Sequence, residues 1–120
     1  MSRIYIATKF EEGDRAQEVA QMLVGEGHSI THRWWGNDEN NAEQACRDMW
    51  GVMTAEALVF IAEKDLPYSG SLVELGMMLA KGGPVYVMGP YIDKCIFMKL
   101  PQVYRGLDYL LNPVPLYSYY

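Results

Sequence analysis

The run Ala57-Leu58-Val59-Phe60-Ile61-Ala62, followed by Tyr68-Ser69-Gly70-Ser71-Leu72-Val73-Glu74-Leu75-Gly76, decides the fold. Six consecutive apolar residues, with β-branched and aromatic members, read as a strand buried on both faces, central in a parallel sheet. The second run reads as a turn opening a helix over residues 72–81. Open α/β sheets gather their ligands at the carboxyl ends of such strands. Glu74 falls there, in the first turn of the expected helix.

Two roles fit Glu74. Ser71-x-x-Glu74 is a capping box, in which the Ser hydroxyl accepts from the Glu74 N–H and the Glu side chain reaches back to the Ser N–H. Yet every residue from 72 to 80 except Glu74 is apolar or Gly. At about 100° per residue, Leu72, Leu75, Gly76 and Leu79 form one stripe, while Val73, Met77 and Met78 lie off it. A helix apolar all round is covered on both sides, here by its own sheet and by a second subunit. Glu74 points away from the Leu stripe. A covered carboxylate is unfavourable unless paired, and such groups cluster at functional sites.

The pattern repeats outward. Residues 3–8 read as a strand, and 11–26 as a helix with the stripe Ala16, Val19, Ala20 and Leu23, stopped by Gly25 and Gly27. Residues 29–34 read as a second strand. After the polar loop 36–40, Asn40 or Asn41 caps a helix whose apolar side is Ala42, Ala45, Cys46, Met49 and Met53. Residues 85–88 form a fourth strand, closed by Gly89-Pro90. A short helix near 93–98, an extended piece around Val103 and a further short element near 107–111 follow. Residues 1–112 make one domain, and 113–120, with two prolines, an extended tail.

Alternating βα units specify an α/β fold: a doubly wound, flavodoxin- or Rossmann-like parallel sheet of four to five strands. The expected order is 2-1-3-4, with any fifth strand beside the fourth, right-handed crossovers and helices on both faces. The switch point lies between the first and third strands, so ligands should meet Thr8, Lys9 and Phe10, then Trp34 and Trp35, then residues 63–71.

Composition narrows the function. At 120 residues the chain holds one core. A net charge of −5 argues against a nucleic-acid polymer or an anionic membrane as partner. No apolar stretch reaches membrane-spanning length, and the first residues lead straight into a strand, so a cytoplasmic location is expected. Cys46 and Cys95, far apart among apolar neighbours, read as reduced core thiols. Two Cys and two His at scattered positions show no metal-ligand spacing, and no metal or cofactor is expected.

Three segments carry a family resemblance: Ile4-Tyr5-Ile6-Ala7, then Arg47-Asp48 with Ala55-Glu56-Ala57-Leu58-Val59, then Ser69-Gly70-Ser71-Leu72-Val73-Glu74-Leu75-Gly76 with Lys81-Gly82-Gly83-Pro84-Val85 behind it. In this order the chain resembles the nucleoside 2-deoxyribosyltransferases and their relatives, the nucleoside 5′-monophosphate N-glycosidases, over residues 3–104. The resemblance implies that Glu74 is the nucleophile at the anomeric carbon, holding a covalent glycosyl-enzyme, as in retaining glycosidases. Asp48 would orient the substrate or assist proton transfer to the leaving base, although it equally suits a solvated helix position beside Arg47. Tyr5 would position the sugar and Glu74, or simply fill the core. Ser69, Gly70 and Ser71 would present hydroxyls and helix N–H groups to the sugar 5′ position or a phosphate. The family also implies homo-oligomers, dimers or larger, with sites completed by a neighbouring chain.

Trp34-Trp35 would stack on a base or pack in the core. His32 and Arg33 would donate to the substrate or serve structure, and Met77, Met78, Met88 and Met98 suit core or interface. Three departures stand out: Glu56 where the family has Asp, a long charged loop at 63–68, and Glu11-Glu12 where a monophosphate hydrolase has a small Gly/Ser-rich phosphate loop. Glu11 and Glu12 would repel a phosphate, with Lys9 and Arg15 as partial compensation. A nucleoside is therefore expected over a nucleotide. The expected activity is cleavage or transfer at a (deoxy)nucleoside N-glycosidic bond. The alternatives are a 5′-monophosphate N-glycosidase and a non-catalytic nucleotide-binding module of the same fold.

Overall fold

The computed structural model describes residues 2–37, 40–91 and 93–111. Five parallel strands, β1 (Arg3–Ala7), β2 (Ser29–Ile30), β3 (Ala57–Ile61), β4 (Val85–Met88) and β5 (Val103–Arg105), lie in the order β2-β1-β3-β4-β5. The expected doubly wound order is the observed one, with the fifth strand beside the fourth. The helices are α1 (Gly13–Gly25), α2 (Ala42–Thr54), α3 (Ser69–Ala80) and the short α4 (Asp108–Leu111). Right-handed crossovers put α1 on one face and α2 and α3 on the other, where the two helices touch.

β3 occupies the centre for the reason its sequence indicates. All of Ala57–Ile61 is buried, and each larger side chain there contributes about 1.5–3 kcal/mol relative to exposure. In register, Tyr5 sits beside Leu58 and Phe60 beside Val87. Glu56 ties the sheet's amino-terminal edge, its Oε1 accepting the Arg3 N–H at 2.9 Å. The α1 stripe Ala16, Val19, Ala20 and Leu23 is buried, as its spacing requires, but a 3-10 turn at Phe10–Glu12 precedes the α-helix.

Several elements differ from their sequence-based expectation. β2 stops at Ile30 because side chains take over the edge of β1: the Trp34 indole N–H donates to the Ile6 carbonyl at 2.7 Å. α3 begins at Ser69, three residues early, and no side chain caps it. Its N-cap is Tyr68, held left-handed (φ 52°) with its ring buried. Ser71 and Glu74 therefore lie inside the helix and form no capping box.

The largest difference concerns α2. Its buried residues are Gln44, Gly51 and Val52, while Met49, Trp50 and Met53 are about half exposed. The apolar side read as core-facing thus looks outward, and Cys46 on it is an exposed thiol. Near the carboxyl end, a 3-10 turn at Ile96–Lys99 stands where a helix near 93–98 was expected. The tail, 113–120, lies outside the described residues.

Candidate active site

The centre of the site is a side-chain pair that bridges sheet and helix. Tyr5, in the middle of β1, projects from the sheet toward α2 and α3 and is buried. Its hydroxyl donates to Glu74 Oε2 at 2.5 Å. Burial raises the Glu74 carboxyl from the ordinary 4.5 to about 7; the Tyr5 hydrogen bond pulls it down and the Asp48 charge pushes it up. Burial, then the Glu74 charge, pushes the Tyr5 phenol far up, so it stays protonated and acts as a donor. Glu74 is therefore a carboxyl poised near neutrality, where a nucleophile or a proton carrier is most useful.

Asp48 comes to this pair from α2. Its Oδ1 accepts from Gln44 Nε2 at 2.9 Å and lies 3.2 Å from His32 Nε2. The close approach of α2 depends on Gly51, where an added Cβ would stand 2.8 Å from His32 Cβ and 2.9 Å from the Tyr5 ring. Gly51→Ala is expected to destabilise the fold by about 1–3 kcal/mol through overpacking. That exceeds the roughly 1 kcal/mol of helix propensity gained. A lower urea midpoint is the expected reading, and a higher one would show that the helix yields freely.

A cavity of about 500 Å³ opens over these groups, within the usual range for small-molecule sites. Thr8, Lys9 and Phe10 line it from the β1 loop, Ser69, Gly70 and Ser71 from the start of α3, and Trp34, Asp48, Tyr5 and Glu74 complete the wall. These ten residues singled out in the sequence face one space, whereas Trp35, His32, Arg33 and residues 63–67, also expected at this edge, are not part of its lining. Two of the expected substrate contacts are spent on the backbone: the Thr8 hydroxyl donates to the Ile61 carbonyl at 2.8 Å and the Trp34 N–H to Ile6. Trp34 packs edge-on against Trp35, whose own N–H donates to Gln17.

The charges around the mouth are mostly paired. Lys9 Nζ lies 3.8 Å from Glu11. Arg15 is gripped by Glu63, whose hydrogen bond raises its pKa, and by Glu18. The long 63–68 loop thus holds Arg15 on a carboxylate, and compensation for Glu12 comes from the loop's own Lys64, its Nζ 3.1 Å from Glu12 Oε1.

Sequence reasoning left out Gln44, Asn37 and Asn40, which also line the cavity with Glu11 and Tyr68. For Gln44 a signal existed: it precedes Asp48 by one helical turn and Gly51 by two, so all three share a face. Tyr68 falls in the expected 63–71 stretch, but nothing signalled its left-handed backbone, because such a conformation at a non-Gly residue is set by tertiary packing, here Phe60 at 5.6 Å between ring centroids.

A larger depression, about 930 Å³, lies at the amino-terminal edge. Its charged groups are engaged, Arg3 with Glu56 and Lys81 with the carbonyls closing α2. Among the described residues, no cluster of His, Cys, Asp and Glu is placed to hold a metal ion, and no helix is long and apolar enough to cross a membrane.

No family model matches the sequence, and no curated protein sequence matches it. The structure is similar to that of a 2-desoxiribosyltransferase from Leishmania mexicana, with a TM-score of 0.57 at 17% identity. The match covers 74% of this chain and 65% of that enzyme's length. At that identity the likeness establishes a shared fold: this chain is built on the doubly wound sheet that a 2-deoxyribosyltransferase also uses.

Proposed function

We propose that this chain cleaves or exchanges the N-glycosidic bond of a (deoxy)nucleoside, with Glu74 as nucleophile. The observation that carries the proposal is the 2.5 Å bond from Tyr5 to Glu74 Oε2 inside the cavity. It orients the carboxylate and leaves Oε1 as the attacking atom. Attack on the anomeric carbon forms a glycosyl ester as the C–N bond breaks and its electron pair leaves with the base. The departing base takes its proton from a water molecule that Asp48 holds beside it. Water or a second base then attacks the same carbon and frees Glu74, giving hydrolysis or transfer.

The paired cations at the mouth favour a neutral nucleoside over its 5′-monophosphate. Glu11, Asp48 and Glu74 line the cavity, and Lys9 beside Glu11 supplies little net positive charge. The protein is to be incubated with nucleosides and their monophosphates, with and without an acceptor base, and the products separated by chromatography. kcat/KM at least about tenfold higher for the nucleoside is expected. Faster turnover of the monophosphate would favour the glycosidase alternative, and tight binding without turnover a binding module.

The working form proposed is a homo-oligomer joined through α2. Its outward face carries Met49, Trp50 and Met53, with Val73 of α3 also exposed, while Arg47 and Glu43 pair with each other on the same helix. An apolar patch of this kind marks an interface, and Asp48 lies on the edge of that helix. Trp50→Lys is expected to convert the oligomer to monomer in sedimentation velocity. A native chain that sediments as a monomer at every concentration sinks this part.

A further inference from the structure

Asp48 is held by a polar cluster that bond cleavage at Glu74 does not itself require. β2 ends at Ile30, and the Thr31 hydroxyl donates to the Gly51 carbonyl at 2.7 Å, which delivers His32 against α2. His32 Nε2 then lies 3.2 Å from Asp48 Oδ1 and 3.3 Å from Gln44 Nε2, while Gln44 donates to the same Oδ1. Gln44 is fixed in turn: its Oε1 accepts from Asn37 at 3.1 Å and its N–H donates to the Asn41 cap at 2.9 Å. A bare nitrogen lone pair facing a carboxylate oxygen at that distance would be repelled, which favours the tautomer with the proton on Nε2, although the Gln44 amide 3.3 Å away could donate to the other tautomer. Both contacts fall on Oδ1. Among the described residues Oδ2 has no hydrogen-bond partner.

We propose that His32 is a positioning residue for the leaving-base carboxylate: its Nε2–H anchors Asp48 Oδ1 and turns Oδ2 toward the substrate. The assignment rests on the proposed glycosyl transfer through Glu74. Its chemical logic is the crowding of two carboxylates. Asp48 has 31% of its side chain exposed and, unheld, has other rotamers open to it. Held by two N–H groups, it stays where the departing base needs it.

The test compares the native chain, His32→Ala and His32→Gln on a deoxynucleoside and on 4-nitrophenyl 2-deoxyriboside. The second substrate releases a phenolate that needs no proton, so its cleavage bypasses Asp48 but still requires Glu74. His32→Ala is expected to lower kcat on the nucleoside about tenfold, with KM changed less than about threefold. On the aryl glycoside the rate should stay within about twofold. Gln places an N–H as far from the backbone as Nε2, so His32→Gln should restore most of the loss. Equal losses on both substrates, or no rescue by Gln, overturn the proposal.

Nitrogen-15 imidazole spectra give a readout independent of turnover. His32, distinguished from His28 by its absence in His32→Gln, should carry its proton on Nε2, and Asp48→Asn should shift that signal. An Nδ1–H tautomer in the native chain overturns the pairing. A native chain that cleaves neither glycoside overturns the glycosyl-transfer reading, and the imidazole signal then decides the pairing alone.

Discussion

Glu74→Ala is expected to lower release of free base from a nucleoside at least about a thousandfold, with the far-ultraviolet circular dichroism unchanged. The size follows from the role: a nucleophile's removal closes the covalent route, and what remains is binding and the field of the site. Base release at the native rate from the purified variant would sink the mechanism.

The isosteric Glu74→Gln carries a second, opposite-signed expectation for stability. The folded carboxyl titrates at about 7 against an ordinary 4.5. Between those values the folded chain keeps a proton that the unfolded chain has lost. The stability linked to that proton is complete below about 4.5 and is lost as the pH rises through about 7. Above neutrality the native chain therefore holds a desolvated charge, and Gln should be more stable by about 1–3 kcal/mol. In mild acid the two should converge. Urea midpoints at both pH values measure this, and a Gln variant less stable in alkali would mean that Glu74 serves the fold.

Tyr5→Phe is expected to reduce kcat/KM near neutrality by about a hundredfold and to reshape its pH dependence. In the native chain activity should rise through about pH 7 as Glu74 ionises, then level off. The Tyr5 hydrogen bond is what opposes the upward push of burial and of Asp48. Without it the carboxyl titrates higher, so the rising limb moves to more alkaline pH and part of the loss is recovered there. Phe keeps the ring that packs under Gly51, which separates the hydroxyl's effect from core disruption. A limb that stays in place, or moves to acid, would remove Tyr5 from control of Glu74.

The outward face of α2 and the helix that carries Glu74 mark the limits of sequence reasoning. Periodicity correctly divided α2 into an apolar and a polar side, but Gln44, Gly51 and Val52 are the residues buried. Within one chain, the polar side turns inward because Asp48 and Gln44 meet His32 there. The sequence carried that information only as the spacing of residues 44, 48 and 51. The start of α3 was hidden for another reason. Tyr68 accepts a left-handed backbone because burying its ring, with its hydroxyl accepting the Lys64 N–H at 3.2 Å, outweighs the local strain.

By itself the sequence determined the alternating strands and helices, the central place of residues 57–61, the sheet order and the loops that meet at its carboxyl edge. Each of these follows from local period, from turn residues and from handedness, which act over a few residues or are common to all chains of this class. Only the tertiary structure decided that Tyr5 and Glu74, 69 residues apart, share a 2.5 Å hydrogen bond. It also decided that Arg15 faces Glu63, and that Asp48 comes with His32 and Gln44 attached. Periodicity says which residues share a face. What covers that face, and how far burial moves a carboxyl from its ordinary pKa, depends on neighbours distant in the chain.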